Sequence, residues 1–198
     1  MTSSKSVMET KEKLMKAAIN LIAEKGYNGV TTLEIAAAAG LSEKTLFRHF
    51  GSKQNLLETA VEHYHYAKEM RTLFKDQLVW NLEKDLLLIS RTYHEIMYRN
   101  RKLIQISVKE GNNLPGFREK AHQHPEQLKK LLTNYFTEMK KRGKIIDINP
   151  KQTAISFMLM HFGISMNYLH AVDTTIFDSS LDEIIKNSVQ LFIRALTP

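Results

Sequence analysis

Apolar positions recur at helical spacing along almost the whole of this chain. Over residues 8–25, Leu14, Ala17, Ala18, Leu21 and Ile22 fall at i, i+3, i+4, i+7 and i+8 and predict a first helix with one buried face. Gly26 sits where a helix end needs a left-handed residue, and Tyr27 and Val30 are placed to pack that end. Thr31 and Glu34 have capping-box spacing ahead of Leu33, Ile35, Ala36 and Ala39, which form a short second helix. Gly40 turns the chain, Leu41 fills the corner, and Ser42 caps a third helix over 43–50 with Leu46 and Phe50 as its stripe.

Ser52 caps a fourth helix, expected to run to about residue 74 with Leu56, Leu57, Ala60, Val61 and Tyr64 on one side. Leu82, Leu86, Ile89, Tyr93, Ile96 and Met97 define a fifth over 76–100, with Trp80 near its start. A shorter helix over 102–110 is halted by Gly111-Asn112-Asn113 and by Pro115-Gly116. One irregular turn is expected over 117–124. Pro125 then starts a helix to about 142, and Gly143 stops it. Ile145, Ile146 and Ile148 suit a short extended connector rather than a strand. The helices over 150–171 and 181–196, the latter capped from 178–180, are apolar around too much of their circumference for one buried side. They are the candidates for a dimer interface.

Composition narrows the classes. With 198 residues, 43% of them hydrophobic, the chain can bury a sizeable core, and only 4 Pro and 8 Gly favour long helices. No cysteine is present, so disulfides, thiolate nucleophiles and zinc–cysteine sites are excluded, which fits a cytoplasmic setting. The formal charge of +7 suits a polyanionic partner. Residues 1–7 lack the apolar core of a secretory signal and read as a frayed arm. The apolar stretch 154–172 is broken by Ser156, His161, Ser165, Asn167 and His170 and reads as a buried helix, not a membrane span.

The second and third helices carry the chemistry. Around its apolar stripe the third helix offers Glu43, Lys44, Thr45, Phe47, Arg48 and His49. This mixture of cations, hydroxyl, imidazole and ring matches phosphate oxygens and base edges. Two short helices joined by a glycine turn, the second one polar, make a helix-turn-helix. Elsewhere no catalytic or nucleotide-binding signature occurs. His63 and His65 point to different sides of a helix. His122 and His124, near Glu119 and Glu126, are weighed as a metal cluster against a solvated loop, and no metal is assigned. The Lys140-Lys141-Arg142 run with Lys144 reads as a solvated helix end complementing the dipole.

Residues 14–57 resemble the DNA-binding domain of the TetR family of transcriptional regulators. The resemblance is carried by EKGY at 24–27, TTLEIAAAAGLS at 31–42 and TLFRHFGSKQNLL at 45–57. It implies an all-α protein: a three-helix helix-turn-helix DNA-binding domain over 1–52 and a helical ligand-binding and dimerisation domain over 53–198. It further implies a homodimer formed by the last two helices and a palindromic DNA operator. A repressor without a cofactor, released by a small-molecule effector, completes the expectation, with the fourth helix as lever. Matched residue by residue, Thr31 or Thr32, Thr45, His49 and Lys53 are expected at phosphates and Lys44 and Arg48 at base edges, and Thr31, Thr32 and Ser42 all count among the DNA-binding residues. Glu43 either accepts from a cytosine amino group or caps its helix. Family members often carry tyrosine where Phe47 stands, so a phosphate hydrogen bond is lost there. Tyr93, His94, Met97, Phe136, Met158, His161, Phe162 and Tyr168 are the candidate pocket lining, with plain core packing as the alternative. Two other readings stay open: an effector-independent structural or nucleoid-associated DNA-binding member of the fold, and a helical small-molecule-binding protein without DNA function.

Overall fold

The computed structural model describes residues 2–64, 67–111, 114–170 and 179–197, without the side chains of 2–5, 67, 68, 115, 122 and 170. His65, Asn112, Asn113, Ala171 and Asp178 of the sequence reading lie outside the described residues, as do the side chains of His122 and His170. The described residues form helices and connections only. In chain order the helices are α1 (Thr2–Lys25), α2 (Thr32–Ala38), α3 (Glu43–Phe50), α4 (Lys53–Tyr64) and α5 (Ala67–Asp76), then α6 (Leu82–Arg99), α7 (Arg101–Glu110), α8 (Pro115–Lys141), α9 (Pro150–His170) and α10 (Leu181–Leu196). The all-α expectation holds. None of these helices is long and apolar enough to cross a membrane, and no group of three His, Asp or Glu among the described residues is arranged to hold a metal.

The chain separates into two compact units, Met1–His65 with Asn100–Gln123, and Tyr66–Arg99 with His124–Pro198. In the first, α1 packs against α2, α4 and α7, while α3 packs against α2 and α4. Its core joins Leu14, Ala18, Ile22, Ile35, Leu46, Phe50 and Leu57 to Leu103, Ile106 and Phe117. The helix-turn-helix therefore shares its core with residues far along the chain, and α4 lies wholly within this unit. Glu110, at the end of α7, accepts the Tyr27 backbone N–H at 3.1 Å. Asn100 donates its side-chain amide to the Tyr64 carbonyl at 2.7 Å, and Lys120 pairs with Glu58 and Glu62.

In the second unit α6 packs against α5, α9 and α10. Its buried carboxylate, Asp85, accepts the Val79 N–H at 2.9 Å and the Tyr135 hydroxyl at 3.1 Å.

Several expected boundaries move. Helix α1 begins at Thr2, so the expected arm is helical. The helix expected over 53–74 is described as α4 and α5, with residues 65 and 66 between them outside the described residues. Helix α6 starts at Leu82 rather than 76 because Trp80 takes a left-handed φ of 59° and Asn81 caps the Lys84 N–H at 3.0 Å. Trp80 is held there by stacking on Tyr135, by the Arg142 guanidinium over its ring and by Lys144 on its carbonyl. The expected irregular turn at 117–124 is helical: α8 runs from Pro115 with Pro125 inside it, so His124 sits on a helix rather than in a loop. Proline cannot donate to the carbonyl four residues earlier, which costs one hydrogen bond without ending the helix here.

Gly40 shows what the tight turn requires. Its φ is +68° and no atom lies within 4 Å of where a Cβ would stand. The penalty for a side chain is therefore conformational, not steric. Gly40→Ala is expected to lower stability by about 1 kcal/mol, read as a fall in Tm. An unchanged Tm would show that the turn does not depend on the left-handed residue.

Candidate functional site

Both ends of the short helices are fixed locally. The Thr31 hydroxyl accepts the Glu34 N–H at 3.2 Å, and the Glu34 carboxylate accepts the Thr31 N–H at 2.8 Å. The Thr31 N–H first, then the Thr31 hydroxyl and the Lys25 ammonium, both donating to the carboxylate, hold the Glu34 carboxyl down to about 2. Ser42 caps α3 through the Thr45 N–H at 3.2 Å, and its hydroxyl meets that of Thr45 at 2.9 Å. At the other end of α3 the Asn55 amide donates to the Phe50 carbonyl at 2.7 Å. Glu43 lies in the first turn and Arg48 and His49 in the last, the polarity that suits a helix dipole.

Leu46 and Phe50 are buried, which turns the rest of α3 outward. Lys44, Phe47 and Arg48, at i, i+3 and i+4, share one exposed face, and Phe47 is 47% exposed. Thr45 and His49 are half-buried beside it, and Thr31 and Ser42 are exposed. Burial first, then the charges of Arg48 and Lys11, lower the His49 pKa and favour its neutral ring. Many other cations are matched: Lys16 with Glu12, Lys25 with Glu34, Arg91 with Asp182, Arg99 with Glu69. Among the described residues Lys44 and Arg48 have no carboxylate partner. Like charges at i, i+4 repel by a few tenths of a kcal/mol, so this face carries uncompensated positive charge.

Two residues are engaged in ways their spacing did not reveal. The Glu43 carboxylate accepts from the Thr32 hydroxyl at 2.5 Å, tying the start of α3 to the start of α2. Lys53 donates to the carbonyls of Tyr27 at 2.7 Å and Val30 at 2.6 Å, and its ammonium lies 4.1 Å from the Tyr27 ring centroid. It thereby clamps the loop before α2, and burial lowers its pKa.

Residues 14–60 match the family model described as bacterial regulatory proteins, tetR family. Residues 84–197 match the model described as AefR-like transcriptional repressor, C-terminal domain. The chain belongs to the TetR family. It is a DNA-binding transcriptional regulator of that family rather than an enzyme. The HTH-type transcriptional regulator YvkB of Bacillus subtilis (strain 168) is 30% identical over 188 residues, 95% of this chain and 97% of that protein. A TetR-family regulator from Mesorhizobium loti MAFF303099 shares the fold with a TM-score of 0.76 at 19% identity, over 97% of this chain and 98% of that one. AibR, solved in complex with isovaleryl coenzyme A and operator DNA, has a TM-score of 0.69 at 22% identity, over 92% of this chain and 97% of that one.

The second unit of this TetR-family chain holds a buried polar chain. Ser90 Oγ meets His161 Nε2 at 3.1 Å, His161 Nδ1 meets His94 Nε2 at 3.0 Å, and His94 Nδ1 meets Ser165 Oγ at 2.7 Å. All four residues are buried. Burial pushes His94 down to about 4, and burial plus the neighbouring His94 pushes His161 down to about 3. A small cavity of about 10 Å³ adjoins it, lined by Ile89, Ser90, Tyr93, Leu128, Leu132, Phe157, Met158 and His161. Of the candidate pocket residues, Tyr93, Met158 and His161 line this cavity, and His94 stands one ring behind. Phe136 is fully buried with its ring against Phe157, and Met97 is buried away from the lining. Phe162 is 44% exposed, and the Tyr168 hydroxyl donates to the Ser179 carbonyl. Sequence reasoning missed Ser90 and Ser165, since no local pattern marks a serine as the partner of a distant histidine.

Lys53→Met keeps the stem but removes two charge-assisted hydrogen bonds, and is expected to cost about 2 kcal/mol, seen as a lower Tm. Stability unaltered by this change would refute the clamp. The two histidines also set an acid limit. With folded pKa values below the ordinary 6.5, their stabilisation is intact above pH 6.5 and is lost as pH falls from there towards 4 and 3. The Tm of the native chain is expected to fall more steeply than that of His161→Gln over this window. Parallel curves would show that the pair is not held neutral.

Proposed function

We propose that the protein is a homodimeric repressor that reads a palindromic operator with α3 and is released by a small-molecule effector. The observation that carries this reading is the exposed face of Lys44, Phe47 and Arg48 on a helix capped at both ends, with neither cation paired to a carboxylate among the described residues. Two copies related by a two-fold axis would place their α3 helices in successive major grooves, about 34–36 Å apart. Lys44 and Arg48 then face base edges. Phe47 offers apolar contact to a thymine methyl or a sugar. Thr31, Ser42, Thr45 and His49 face phosphates. Thr32 and Glu43, bonded to each other, position the start of α3, and Lys53 acts as clamp with one N–H left for a phosphate.

Apolar side chains exposed on the last two helices support the dimer: Leu159 at 64%, Phe162 at 44% and Leu191 at 52%. A second copy packed there would cover them. The effector reading draws on the buried polar chain beside a cavity, and on AibR, solved with isovaleryl coenzyme A and operator DNA. An effector acts by binding the DNA-released conformation better than the DNA-binding one. The smallness of the cavity, about 10 Å³, favours a second reading, in which the protein binds DNA without an effector.

The experiment is binding to duplexes recovered by selection, alongside random duplex, across a salt series. Arg48→Ala is expected to cost about 1–3 kcal/mol on the selected site and to relax preference at one base position, with little loss on random duplex. Equal losses on both duplexes would remove Arg48 from base readout, and binding insensitive to salt would remove DNA as partner.

A further inference from the structure

Residues 84–197 match a C-terminal domain model, yet Asn100–Gln123 belong to the same compact unit as the helix-turn-helix. Within that stretch Glu110, the last residue of α7, touches the turn that leads into α2. Helix α1 ends at Gly26, whose φ is +78° and whose N–H returns to the Ile22 carbonyl at 2.9 Å. The next N–H, that of Tyr27, goes to Glu110 Oε1 at 3.1 Å. A Cβ on Gly26 would stand 3.3 Å from the same oxygen, so the carboxylate lies against the bare side of the glycine. The Tyr27 carbonyl accepts from Lys53, which also donates to the Val30 carbonyl. Both backbone groups of Tyr27 are therefore held by ionic side chains, one from α7 and one from α4.

That grip reaches the recognition helix through adjoining bonds. Val30 precedes the Thr31 cap of α2, and Thr32 is bonded to Glu43 at the start of α3. Fold stability alone does not call for a carboxylate at this place. Glu110 stands at the C-terminal ends of α1 and α7 together, where helix dipoles disfavour negative charge. We propose that Glu110 is a positioning residue for operator binding: it holds the Tyr27 N–H, and so keeps α2 and α3 in the placement that fits DNA, without touching DNA itself. The proposal rests on the reading of α3 as the helix that meets the operator. Loss of the bond lets the turn relax and divides the head between placements, and affinity falls by the fraction that is no longer competent.

The test uses the full chain far below its unfolding temperature, with the selected and random duplexes as ligands. Hydrogen exchange of the α2 and α3 amides without DNA is the second readout. Glu110→Ala is expected to bind the selected duplex about tenfold more weakly, to lose far less on random duplex, and to speed exchange in α2 and α3 at unchanged helix content. Glu110→Gln keeps an acceptor for the Tyr27 N–H and is expected to recover most of the lost affinity. Lys102→Ala removes another α7-to-α1 bond, to Asn20, and is expected to lower Tm without changing operator affinity. Full affinity in Glu110→Ala, an equal loss in Lys102→Ala, or no recovery in Glu110→Gln would each overturn the proposal. If the native chain shows no preference for the selected duplex, base readout by α3 fails instead, and faster exchange in Glu110→Ala still upholds the hold on the head.

Discussion

An eight-residue helix cannot hold itself together in water, because helices shorter than about 12–15 residues are marginal even with favourable sequences. Helix α3 is that short, and the function of the chain depends on its keeping one orientation. Only Leu46 and Phe50 bury it. Its order comes from outside its own length: Ser42 before it, Asn55 after it, and Glu43 reaching back to Thr32. Lys53 fixes the loop that sets where α2 begins, and Glu110 satisfies an N–H at the end of α1 that would otherwise be orphaned. The first unit is thus a set of braces around one polar rod.

How much of this could be read beforehand follows the range of each interaction. The capping box at Thr31 and Glu34, the Ser42 and Ser52 caps and the left-handed Gly26 and Gly40 were all legible, since each is decided within about four residues. The clamp by Lys53, the Glu110 contact and the place of residues 100–123 in the core of the first unit were not. Each joins residues tens of positions apart, and no periodicity encodes which distant carbonyl an ammonium will find. Pro125 misled for a different reason. Proline is favoured at a helix start, yet the start was already supplied at Pro115, so the missing donor was absorbed inside a long helix.

The histidines illustrate the same limit. Spacing placed His94 and His161 on inward faces, and both are buried. What converts them from isolated buried rings into a chain is a pair of serines, Ser90 on the helix of His94 and Ser165 on that of His161. Each serine lies four residues from the histidine on its own helix, yet bonds across: Ser90 to His161, and Ser165 to His94. The crossed pairing satisfies every ring nitrogen in an interior where an unmet polar atom would cost roughly 1–3 kcal/mol.

The two units also treat charge in opposite ways. In the second, ring nitrogens are driven neutral and no cation lines the cavity. On α3, two cations four residues apart are left without carboxylates although acidic residues are at hand, Glu34 being spent on its cap and Lys25, and Glu43 on Thr32. Uncompensated like charge on a short helix lowers stability a little in the free protein, and a polyanion bound there would recover that cost. His49 responds to the same field: Arg48 and Lys11 disfavour its charged form, and phosphates would favour it. If duplex phosphates face this ring as proposed, binding would be coupled to proton uptake there and would strengthen as pH falls, opposite in sign to the acid loss of stability from the buried pair.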